Sequence, residues 1–225
     1  LPPKMYIQHY NIVTPLGFDL PTTARLLLRE RSAIARYPMY GQLTDVCLSK
    51  IGDGAIESRF QQVVERNDFS RLEKLLLLAI APIFHKIKIT PRTALILSST
   101  KGNISALANG DSAPLLSTLA QKMANAIGVT TTPIVVSNAC VSGAMALSVA
   151  DRLLKSDAYD SAIVLAGDEI SEFVLSGFQS FQAMSAQPCR PYDAQRDGIT
   201  LGEATAVAYV TREATGAKAQ LLGSS

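Results

Sequence analysis

The sequence predicts an α/β fold built on a mainly parallel mixed sheet covered on both faces. Three observations carry this expectation. Short apolar runs, Ala94 to Ser98, Ile134 to Val136, Ala162 to Ala166 and Thr205 to Val210, alternate with stretches of helical character. Those runs read as buried strands, which is what a two-sided parallel sheet requires. The chain is also uncharged from Met123 to Ala150, yet Gly128, Pro133 and Asn138 interrupt that run, so it reads as core strand and helix and not as a membrane span.

Taken in order, Met5 to Val13 is a first strand. Asp19-Leu20-Pro21 then offers a cap and an early-helix proline before a helix over Thr22 to Arg31. Pro38 to Gly54 shows no clear period and reads as irregular. Ser70 and Glu73, three apart, form a capping box that opens a long helix through about Lys86, which Pro82 should kink. After the strand at Ala94, an amphipathic helix over Ala113 to Ile127 closes at Gly128. The strand Ile134 to Val136 leads into a helix from Val141 to Ala150, then follow the strand Ala162 to Ala166, a helix near Glu172 to Phe181 and the strand Thr205 to Val210.

The 225 residues suffice for one or two domains with a substantial core. Apolar residues make up 48% and charged ones 18%, which excludes a disordered chain. The net charge of +2 comes from 21 basic and 19 acidic residues with no dense cluster, so there is no electrostatic case for nucleic acid. No basic segment followed by an apolar stretch and a cleavage site opens the sequence, and Cys47, Cys140 and Cys189 form neither a disulfide framework nor a Cys-x-x-Cys site. A reducing cytoplasm is the expected setting, and no metal or cofactor is expected.

Cys140 stands apart from the other two cysteines. It lies where the strand Pro133 to Val136 passes through Ser137-Asn138-Ala139 into a helix. Backbone N–H groups at a helix start, with the positive end of the helix dipole, favour a thiolate and can hold an oxyanion. Cys140 should therefore be alkylated before Cys47 or Cys189, which read as structural. The helix that follows has no charge on any face until Asp151, Arg152 and Lys155, and it uses Gly143, Ala144, Ala146 and Ala150. This suits close packing, with the Cys140 end inside and the far end at the surface.

The motif Ser137-Asn138-Ala139-Cys140-Val141-Ser142-Gly143-Ala144 resembles the nucleophile motif of the β-ketoacyl-acyl-carrier-protein synthases. Gly177-Phe178 through Ala183-Met184-Ser185, Cys189-Arg190-Pro191-Tyr192-Asp193, Arg196-Asp197-Gly198 and Gly202-Glu203-Ala204 are similar to that family's later signatures, in its order. Val13-Thr14-Pro15-Leu16-Gly17 is similar to its opening motif, so the resemblance runs from about residue 5 to about residue 222. It implies a thiolase-like fold, with residues 1–225 as the N-terminal βαβαβαββ half carrying the nucleophile on a buried helix, and the C-terminal half absent from this chain.

The resemblance also implies roles. Cys140 would hold the growing acyl group as a thioester, with its own N–H as one oxyanion donor, and Phe178 would line the acyl pocket. Two catalytic histidines would come from the second half, and His9 and His85 match neither. Asp193, Arg196 and Asp197 are expected in buried ion pairs and turns beneath the site. Ala204 replaces the second glycine of Gly-Glu-Gly, and Gln182 stands where some members have an arginine that docks an acidic carrier, leaving Arg66, Arg71 or Lys74 for that task. Implied partners are acyl carrier protein, acyl and malonyl thioesters, and a second subunit as homodimer or heterodimer, paired near Ile134 to Val136. Two other readings are a non-catalytic chain-length-factor type of partner, which usually lacks the cysteine, and a thiolase acting on coenzyme A thioesters, which the Arg-Pro-Tyr-Asp region disfavours.

Overall fold

The computed structural model describes residues 4–65, 68–109 and 115–223. Its main sheet has the strands β1 (Met5–Val13), β4 (Thr93–Ser98), β5 (Ile134–Val136), β6 (Ser161–Asp168), β8 (Ala204–Thr211) and β9 (Ala219–Leu221), in the order β5-β4-β6-β8-β1-β9. A small second sheet pairs β2 (Ala35–Tyr40) with β3 (Leu43–Ser49) and β3 with β7 (Leu201–Gly202). The helices are α1 (Leu20–Leu27), α2 (Asp53–Phe60), α3 (Arg71–Phe84), α4 (Leu116–Ile127), α5 (Ser142–Lys155) and α6 (Glu172–Ser180).

Strand β4 pairs in parallel with β5 and β6, whereas the β6·β8, β8·β1 and β1·β9 pairings are antiparallel. The sheet is thus mixed, with its parallel part confined to β5-β4-β6. Strand–helix alternation predicts parallel neighbours, but β8 adds to β6 from the opposite direction and brings β1 with it. Every residue of β4 is buried, and alternate side chains serve two cores. Leu95 and Leu97 face α3 and α4, while Ala94 and Ile96 join Ala146, Ala150 and Leu154 of α5.

Local signals set most helix ends. Asp19 accepts from the Thr22 N–H at 2.7 Å and starts α1, which ends at Leu27, short of the expected Arg31. Ser70 and Glu73 close the capping box of α3, and Pro82 lies in its last turns, two residues before its end at Phe84. Gly128 caps α4 in a left-handed conformation, φ 79°. Residues 113 and 114 of the expected α4 lie outside the described residues. The segment read as irregular holds the β2–β3 hairpin and the start of α2. Gly41 turns the hairpin with φ 59°, and the Glu172 carboxylate accepts from the Gln42 N–H at 2.7 Å. Among the described residues no helix is long and apolar enough to cross a membrane.

A buried carboxylate joins the layers. Glu203, 1% exposed, accepts from the Ile51 N–H at 2.6 Å and the Ile170 N–H at 3.0 Å and pairs with Arg71 at the start of α3. It ties the loops after β3 and β6 to one helix end.

Candidate active site

The parallel strands β5, β4 and β6 end on the same side of the sheet, and in open α/β sheets that carboxyl edge is where ligands bind. Here it gathers Ser98, Thr100 and Lys101 after β4, Ala139 and Cys140 after β5, and Ala166 to Glu169 at the end of β6 around a cavity of about 410 Å³. Gly143, Val174, Phe178 and Leu201 complete much of its wall.

Backbone geometry presents Cys140. Ala139 holds a left-handed φ of 46°, a conformation that costs an alanine on the order of 1–2 kcal/mol. Ser142 stabilises it: its hydroxyl donates to the Ala139 carbonyl at 2.7 Å and accepts from the Asn138 N–H at 2.7 Å. Cys140 is exposed at this turn, Cys47 is buried and Cys189 is intermediate. The residue at the N-cap of α5 is Val141, which has no side-chain group to bond the free N–H groups of the first turn.

This corrects the expected burial of the nucleophile helix. Helix α5 is buried along one face, through Ala146, Ala150 and Leu154, but its Cys140 end is open, with Val141 54% and Met145 41% exposed. At the far end Asp151 is 1% exposed and pairs with Lys155 at 2.6 Å. The uncharged surface near Cys140 is therefore free in this chain and not packed against it.

The acidic pair ending β6 shapes the cavity. Asp168 accepts from the Ser99 hydroxyl at 2.7 Å and the Thr100 N–H at 2.9 Å, which fixes the loop after β4 beside the cysteine. Glu169 is 6% exposed, and its Oε2 has no hydrogen-bond partner among the described residues. Burial pushes its carboxyl above the ordinary glutamate value, and the Glu203 charge adds to this against Ser105 and Arg71. Neither acid stood out in the sequence, although two carboxylates directly after an apolar strand were a usable signal. Phe178, 36% exposed, lines this cavity and also a larger groove of about 1090 Å³ under α6.

Other predicted residues fall elsewhere. His9 stacks on Tyr209 at 6.3 Å between ring centroids, and burial with the nearby Lys86, Lys218 and His85 charges holds its pKa down. Neither His9 nor His85 lines the Cys140 cavity. Asp193, Arg196 and Asp197 are exposed and form no buried ion pairs among the described residues. Asp193 instead accepts from the Gln195 N–H at 2.7 Å, and Asp197 accepts from the Ser185 hydroxyl at 2.6 Å, which lowers its pKa. Gly198 does permit close approach, since a Cβ there would stand 2.6 Å from the Ser185 nitrogen.

At Ala204 the crowding is relieved from the next strand: a Cβ on Gly167 would meet the Ala204 carbonyl at 2.7 Å. Arg71 is engaged by Glu203 and Asp53, and Lys74, 8% exposed, pairs with Glu57 and lies over Phe60. Both are committed within the fold, so neither is a free docking cation as expected, and Arg66 lies outside the described residues.

Residues 8–215 match the family described as Beta-ketoacyl synthase, N-terminal domain. The chain belongs to this family. Among solved structures, the synthase domain is similar to a ketosynthase in complex with its chain length factor from Xenorhabdus doucetiae, at 23% identity and a TM-score of 0.75, covering 93% of this chain and 58% of that one. It is also similar to a β-ketoacyl synthase from Burkholderia phymatum, at 19% and 0.74, covering 98% and 63%. The ishigamide ketosynthase/chain length factor follows at 18% and 0.79, covering 99% and 63%. The chain thus spans about three-fifths of the length of these structures, which share the thiolase-like fold. No curated protein sequence matches it.

Proposed function

We propose that this domain carries the nucleophile of a β-ketoacyl synthase that condenses acyl and malonyl groups held on acyl carrier protein. The single observation that supports this most is Cys140, exposed at a strained strand-to-helix turn, at the mouth of a cavity continuous in its lining with an apolar groove. In acyl transfer the Cys140 sulfur attacks the thioester carbonyl carbon. N–H groups at the start of α5 donate to the developing oxyanion, and the carrier thiolate leaves and takes up a proton. In condensation, loss of carbon dioxide from malonyl thioester supplies the carbanion that attacks the Cys140 thioester, and the Cys140 thiolate departs.

The second step needs donors for the malonyl carbonyl, and no histidine lines the cavity. The resemblance assigns them to a second half. We therefore expect residues 1–225 alone to become acylated slowly at Cys140 and to form no β-ketoacyl product. Losing one oxyanion donor already costs on the order of a hundredfold or more in rate. Mass spectrometry after incubation with acyl and malonyl carrier protein tests this. Acylation abolished by Cys140→Ala supports the reading, and ketoacyl product from these residues alone would show that the donors are misplaced.

A second reading, a chain-length-factor type of partner, draws support from the two structural relatives solved as ketosynthase–chain length factor pairs. It predicts no acylation of Cys140 by any thioester.

A further inference from the structure

The cavity around Cys140 and the groove under α6 share three lining residues, Lys101, Val174 and Phe178. Two of them are what a hydrocarbon passage requires. The third is a cation, and it stands at the junction through which any group bound on Cys140 and extending into the groove passes.

The charges that could neutralise Lys101 are occupied or turned to other work. Asp168 takes the Ser99 hydroxyl and the Thr100 N–H, and accepts only the backbone N–H of Lys101, at 3.3 Å. Glu172, on the groove wall, accepts from the Gln42 N–H at 2.7 Å. Glu169 is buried, accepts from the Ser105 N–H at 3.4 Å and forms no ion pair with Lys101 among the described residues. The Lys101 ammonium makes no ion pair or side-chain hydrogen bond among the described residues. A chain laid past it strips water from that ammonium, which is costly unless the chain supplies an acceptor.

We propose that Lys101 is a specificity residue, and that the groove takes acyl chains carrying an oxygen acceptor, a keto oxygen or a carboxylate, in preference to plain methyl-ended chains. This deepens the synthase reading and rests on it. An oxygen acceptor satisfies the ammonium at the junction, a carboxylate most strongly because both partners are then charged. Val174 and Phe178 pack against the methylenes between the thioester and that oxygen.

The test reads Cys140 without requiring catalysis. The rate of iodoacetamide alkylation of Cys140 in the folded protein is followed in the presence of hexanoyl, 5-oxohexanoyl and adipoyl thioether analogues, which cannot acylate. We expect half-protection at about five- to tenfold lower concentration for adipoyl than for hexanoyl, with the ketone between them. Lys101→Met should erase this order and Lys101→Arg should keep it, and both should fold, since Lys101 is exposed. Equal protection by all three in the unsubstituted protein, an order that survives Lys101→Met, or no protection by any chain would overturn the proposal. Failure of the synthase reading is seen separately, as absence of acylation by reactive thioesters in a protein whose protection order still depends on Lys101.

Discussion

Cys140 owes its presentation to neighbours that carry no reactive group. Ala139 bends the chain into the left-handed region, and the Ser142 hydroxyl, bonded on both sides of that bend, holds it. Glu169 is the other residue whose environment sets its chemistry. Its carboxyl is raised chiefly by burial above the ordinary value of 4.5. A raised acid binds its proton more tightly folded than unfolded, so its contribution to stability is complete below about pH 4.5 and is lost as pH rises through the folded value. Glu169→Gln removes that loss. Denaturant unfolding of both proteins from pH 4 to pH 8 should give curves that meet at the acid end, with the variant gaining relative stability as pH rises. Curves that stay parallel across this range would contradict the assignment.

At the scale of elements, Glu203 does more for the site than its position suggests. It bonds the loop after β3, the loop after β6 and the first residue of α3, and so holds β7 and the end of β6 around the cavity. Its side chain is wholly buried and that of Arg71 is 18% exposed. Removing the carboxylate leaves Arg71 only the exposed Asp53 as a charged partner and two backbone N–H groups without their acceptor, a loss on the order of 3–5 kcal/mol. Glu203→Ala should lose that order of stability in chemical denaturation, and Glu203→Gln, which still accepts a backbone N–H, should lose less. A loss below about 1 kcal/mol for the alanine variant would mean that the three segments are held by packing alone.

Over the whole molecule, the distribution of exposed apolar surface is uneven. Strand β5 is an outer strand of the main sheet, and Val141 and Met145 stand exposed beside it. Phe173, Phe178 and Phe181 open a second apolar area under α6. Unpaired strand edges and contiguous apolar surface of this kind drive association. We expect sedimentation at increasing concentration to show dimers or larger species, with β5 near the contact. A clean monomer at high concentration would exclude this.

Elements with a strong local signature were legible from the sequence: the β4, β5 and β6 runs, the capping box of α3, the glycine closing α4, and the strand-to-helix turn at Cys140. Hydrophobic period and caps act within a few residues, so they survive without knowledge of neighbours. The β2–β3 hairpin is not legible in the sequence because the turn at Gly41 lacks a strong turn dipeptide and β2 is largely exposed. The antiparallel pairing of β8, the pairing of Arg71 with Glu203, the burial of Lys74, and the gathering of Lys101, Asp168 and Glu169 around Cys140 depend on which segments lie side by side. Only the tertiary structure decided those, because adjacency and desolvation arise between segments far apart in the chain.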